Sequence, residues 1–97
     1  METDYGALLR KSLQEFREGR ISLARFVSDV DSIWESLEPS EAKDRIRGDW
    51  WTLEQVLAVD VIDRGLDTLP PDAEQLVAEA LEGLESASRS LDSGSER

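Results

Sequence analysis

The sequence predicts an all-α protein, an antiparallel four-helix up-down bundle, with a three-helix bundle plus one packed helix as the alternative. Three observations lead there. Apolar residues recur at three- and four-residue intervals through four separate stretches. Each stretch opens on a capping residue or proline, or closes on a glycine or proline. The links between stretches are short, which favours antiparallel neighbours. One helical domain is expected over residues 1–91 and a disordered, serine-rich tail over residues 92–97, where Ser93-Gly94-Ser95 leads into the end of the chain.

The first predicted helix covers residues 4–18 and carries Tyr5, Leu8, Leu9, Leu13 and Phe16 on one side. Asp4 is placed to cap it and Gly19 to end it. The second begins after Ile21 with Ser22 as its cap. Leu23, Phe26, Val27, Val30, Ile33, Trp34 and Leu37 hold the helical spacing throughout, and Asp29, Asp31 and Glu35 take the other face. Pro39 stops this helix and Ser40 caps the next.

The third helix is expected over residues 40–64, closed by Gly65, and contains the longest hydrophobic pattern. Ile46, Trp50, Leu53, Leu57 and Val61 share one face at 100° per residue, and Trp51, Ala58, Val59, Ile62 and Leu66 lie roughly opposite. A helix apolar on two sides needs cover on both, so it is either the central helix of the bundle or one that also meets a partner. Gly48 inside it should cost about 1 kcal/mol relative to alanine, and marks a place for a bend or an earlier break. Residues 67–71 read as a turn with Pro71 at the first position of the fourth helix, Asp72 and Gln75 offering a capping box as the alternative. The fourth helix then runs on Ala73, Leu76, Val77, Ala80, Leu81, Leu84 and Leu91.

Composition narrows the function classes. Ninety-seven residues make one domain with one modest core. No cysteine is present, which excludes a disulfide framework, a thiol nucleophile and a thiolate metal site; no histidine is present either, which removes the usual proton shuttle. The first residues lack the basic and apolar regions of a secretory signal. The longest unbroken apolar run, residues 56–59, is far short of the roughly 18 residues of a membrane span. A cytoplasmic protein with no membrane partner is the expectation.

Charge is the strongest compositional signal. The formal net charge of −11 argues against nucleic acid as a partner. Residues 49–85 hold ten acids, opposed only by Arg64, whereas the first 25 residues set five cations against four acids. Such an acidic segment is either a solvated surface that confers solubility or a surface built to meet a basic protein.

Within it, Asp60, Asp63 and Asp67 recur at i, i+3 and i+7 and would stack along one side of the third helix. The Glu-x-x-His motif of bundle iron sites cannot exist here, and the glycine turn of a calcium loop is missing, so no metal is expected. No cofactor and no catalytic residue are expected either, for the carboxylates mark no pocket. Asp60 falls nearly in the middle of the apolar face, where it needs a partner: an internal arginine such as Arg25 or Arg64, or a cation inserted by another protein. Trp50 and Trp51 diverge by 100°, so both cannot point inward. Trp50 matches the core stripe. Trp51, beside Glu54, Ala58 and Ile62, is either buried under the first or fourth helix or exposed as an interface anchor.

The run Gly19-Arg20-Ile21-Ser22-Leu23-Ala24-Arg25-Phe26-Val27-Ser28-Asp29, followed by Trp34 and then by Trp51 with Leu53-Glu54, resembles small helical immunity proteins of bacterial toxin systems. The nearest picture is the colicin D immunity-like group and its relatives in contact-dependent and polymorphic toxin loci. The likeness covers about residues 8–65 and rests on core and capping positions; the Trp50–Trp51 pair and the long third helix depart from it. The resemblance implies a non-catalytic protein that binds a cognate basic toxin, commonly a nuclease domain, and occludes its active site, with acids standing where substrate phosphates would. Trp51, Glu54, Asp60, Asp63 and Asp67 are then the candidate contact residues, on a monomer or weak homodimer. The alternative is a homo-oligomeric helical adaptor whose self-interface lies around Trp51, Ile62 and Leu66.

Overall fold

Local hydrogen bonding sets where each helix begins. In the computed structural model, which describes residues 4–63 and 69–95 without the side chains of residues 60, 62, 63 and 92–95, helix α1 spans Tyr5–Arg17. The Asp4 carboxylate accepts from the Ala7 N–H at 3.0 Å, satisfying one of the first-turn donors that have no partner within the helix. Its far end closes on Gly19 at φ +76°, the left-handed region that a side chain disfavours. The Arg20 and Gly19 N–H groups donate back to the Glu15 and Phe16 carbonyls, the paired bonds of a Schellman ending.

Helix α2 spans Leu23–Ser36 and α3 spans Glu41–Val56, with Ser22 and Ser40 accepting from the Arg25 and Lys43 N–H groups. Helix α4 spans Pro71–Ser95. The Glu74 N–H donates to the Pro70 carbonyl, so Pro70 is the cap and Pro71 the first helical residue, and the Asp72–Gln75 box is not used.

The expected bundle forms. Each helix packs on its neighbours in sequence, and α4 closes onto α1. Neighbouring helices run antiparallel, as the contacts of α1 with α2, of α2 with α3 and of α1 with α4 show. Phe16 stacks on Phe26 while Ser12 bonds Asp29; Trp34 reaches Lys43 while Trp50 reaches Val27; Arg17 pairs with Glu85 while Arg10 reaches Ser88. Leu9, Phe26, Val30, Ile46, Leu53 and Leu84 are wholly excluded from solvent, so all four helices feed a single core. The most extensive seam joins α3 to α4, where Gly83 leaves room for the Asp49 side chain, and Ala73, Ala80, Ala87 and Ser88 are the small buried residues of α4.

Four expectations change. The third helix does not run as α-helix to residue 64: from Leu57 to Asp63 it is π-helical. A π turn holds more residues than 3.6, so the 100° arithmetic fails beyond Val56 and the faces assigned to Asp60 and Ile62 no longer follow. Apolar spacing in the sequence is compatible with either helix, which is why the change was not visible there. Gly48 causes no break, and α3 passes through it unbroken. Leu8 and Leu76, on the apolar stripes of their helices, stay 42% and 47% exposed at the edges of those stripes. Finally, α4 is helical through Ser95, into the segment read as a tail. Ser88 and Ser90 donate to the Glu85 and Ser86 carbonyls, so these hydroxyls bond within the helix's own turns.

Two glycines on the same fold respond oppositely to alanine. A Cβ at Gly48 meets nothing within 4 Å and the position is exposed mid-helix, so Gly48→Ala should stabilise by about 1 kcal/mol in urea unfolding. At Gly19, also uncrowded, the positive φ makes Gly19→Ala destabilising by roughly 1 kcal/mol.

Candidate functional site

Helix α3 positions the candidate residues. Ile46 and Leu53 face the core with no exposure, and that fixes the azimuth of everything between them. Trp50 turns toward α2, half-buried, and its indole Nε1–H donates to the Val27 carbonyl at 3.2 Å. Trp51, 100° further round, is left outside at 59% exposure; α1 and α4 do not bury it. Val59 is also exposed, and Glu54, three residues beyond Trp51, is half-buried with no ion pair among the described residues. The outward face of α3 therefore presents an uncovered indole beside a carboxylate that has no ion pair among the described residues.

The remaining candidates are only partly placed. Asp60 and Asp63 belong by backbone to the π-helical segment, and Asp67 lies outside the described residues. Arg25, one of the partners considered for Asp60, is engaged elsewhere. Its Nε lies 3.1 Å from an Asp29 carboxylate oxygen, and the Ser12 hydroxyl donates to the other oxygen of that carboxylate.

Most described cations are used internally. Arg17 and Arg89 both pair with Glu85, and Arg20 pairs with Glu18. These bridges are exposed and each contributes little stability, but they cancel charge along the α1–α4 edge. Helix α3 keeps two exposed cations, Arg45 and Arg47, before Trp51, whereas acids alone follow it as far as Asp63. Among the described residues no three carboxylates converge as a metal cage would require.

The setting of one half-buried acid was invisible in the sequence. Asp49 leans from α3 onto α4 at Gly83, so closely that a Cβ there would overlap its carboxylate. Among the described residues it has neither hydrogen bond nor ion pair, and burial raises its pKa above the ordinary value of 3.8. Only the missing side chain at Gly83, 34 positions away in sequence, reveals its environment.

Compared with protein-family models, curated proteins and solved structures, the chain matches none.

Because Asp49 has a raised folded-state pKa, its ionised form weakens the fold: the penalty is absent below the unfolded value of 3.8 and is fully present once pH has risen through the folded value. Asp49→Asn should therefore be more stable than the native chain at pH 7, with the gap closing toward pH 3; a pH-independent gap would contradict this. In an Asp49→Ala background, Gly83→Ala should gain about 1 kcal/mol, and in the native background distinctly less. For the tryptophans, Trp51→Ala should change stability by less than about 0.5 kcal/mol and shift the mean fluorescence to the blue, because it removes the solvated indole. Trp50→Ala should cost at least about 2 kcal/mol.

Proposed function

We propose that this chain is a non-catalytic binding protein that holds a basic protein partner against the outer face of α3, and that the partner is a cognate bacterial toxin, of the nuclease class, whose active site it occludes. The observation that carries the reading is Trp51: a large indole left 59% exposed on a chain with formal net charge −11. Burying such a side chain against a partner is the kind of contact that dominates binding energy, and Trp is enriched among such anchors. The acids after it provide the complementary field. Glu54 stands beside the indole, and Asp60, Asp63 and Asp67 extend the acidic side of the proposed contact. Long-range attraction of a basic domain raises the association rate and weakens with salt, while desolvated central contacts slow dissociation. The resemblance of residues 8–65 to immunity proteins supports the toxin as the form this partner takes.

The test begins with capture from host lysate on immobilised protein, followed by purification and identification of the captured species. A single basic protein released by rising salt, whose nuclease activity is lost on mixing at equal stoichiometry, is the expected result. Trp51→Ala should weaken that complex by about 2 kcal/mol, roughly 30-fold, and reversing the charge at Asp60, Asp63 and Asp67 should lower the association rate. A complex indifferent to both changes would overturn the site, and sedimentation showing a stable dimer at micromolar concentration would favour the self-associating adaptor instead.

A further inference from the structure

Helices α2 and α3 each carry a charged residue one turn before a tryptophan: Asp31 before Trp34, and Arg47 before Trp50. Because the helices run antiparallel, these four side chains come together and line a cleft of about 230 Å³. Both indoles are fixed by their N–H groups, Trp34 to the Lys43 carbonyl at 3.0 Å and Trp50 to the Val27 carbonyl at 3.2 Å. They bound the opening and do not stack on each other. Among the described residues neither Asp31 nor Arg47 makes an ion pair, although they share the cleft. The volume lies below the roughly 300–1,000 Å³ of small-molecule sites, which suits one side chain better than a cofactor.

We infer that the Trp34–Trp50 cleft receives a single arginine side chain of the partner protein, its guanidinium against the indoles and paired with Asp31. Arginine fits better than lysine because its planar, weakly hydrated head stacks on aromatic rings and still donates to a carboxylate. Trp34 already accepts a cation in this way: the Lys43 ammonium lies 4.6 Å from its ring centroid, held there by a 2.8 Å bond to the Leu37 carbonyl, and Lys43 does not line the cleft. Arg47 opposes the guest, but it is exposed on a flexible stem and can turn to solvent, whereas Asp31 is short and half-buried. The net charge of −11 favours a cationic guest over an anionic one. Arg47 also sits one turn from Trp51, so the cleft is continuous with the face proposed above. The inference rests on that reading for the protein that supplies the arginine, and its chemistry is testable without it.

The probe is N-acetyl-arginine amide, titrated at low salt while the three indole N–H resonances are followed by ¹⁵N NMR. Saturable shifts are expected at Trp34 and Trp50, with Trp51 little changed. Asp31→Asn should weaken the binding by roughly fivefold or more, and Arg47→Ala, which removes the opposing charge and leaves both indoles and Asp31 in place, should tighten it. N-acetyl-lysine amide should bind more weakly. The inference is overturned if the shifts do not saturate, if the lysine probe or sodium acetate produces the same shifts, or if both variants bind as the native chain does. Loss of lysate capture with these shifts intact would defeat the partner reading alone; retained capture without them would defeat the arginine cleft alone.

Discussion

The close approach of α4 to α3 is the constraint on which the rest of the molecule depends. Gly83 lets the α4 backbone lie against the Asp49 side chain of α3, and Ile46, Leu53 and Val56 of α3 are buried in the core beside it. Interiors packed to native density tolerate little displacement, so this seam sets the rotation of α3 about its own axis. With that rotation set, Trp50 can only face α2 and Trp51 can only face solvent. The seam carries its own cost, since Gly83 leaves room for Asp49 at the price of desolvating a carboxylate that has no described partner.

The three tryptophans divide by the fate of their N–H groups. Trp34 and Trp50 each donate to a backbone carbonyl across the α2–α3 interface, and that bond restricts the ring as well as satisfying it. Rings held in this way lose little freedom when a guest arrives, and preorganisation of this kind improves affinity without adding contacts. Trp51 has the opposite character: it adds nothing to the core, and its exposed surface gains only when another molecule covers it.

Electrostatics separates the faces further. Arg17, Arg20, Arg25 and Arg89 meet acids within the bundle, so the excess negative charge is distributed elsewhere on the surface. Along α3 the balance changes sign, from the exposed Arg45 and Arg47 to the acids beyond Trp51. A partner docking here meets a directional pattern that orients it as well as attracting it. The hydrogen-bonded Ser12–Asp29–Arg25 group ties α1 to α2 on another side, where it fixes packing between those helices.

The sequence by itself determined the helices and their starts. Asp4, Ser22 and Ser40 cap where they were expected to, Gly19 ends α1, and Pro71 opens α4, because capping is chemistry among residues three or four apart. The core of α2 was legible in full for the same reason of short range, and the four-helix arrangement followed from the short links. What periodicity could not decide is how far each apolar stripe is covered: Leu8 and Leu76 fit their stripes and remain exposed, and Trp51 was compatible with burial or exposure until α3 was oriented. The π-helical turn, the Asp49–Gly83 contact and the Trp34–Trp50 cleft were decided by tertiary structure alone. Each depends on how one helix meets another or on which of two backbone pairings the packing selects, and neither is encoded at the spacing of a single turn.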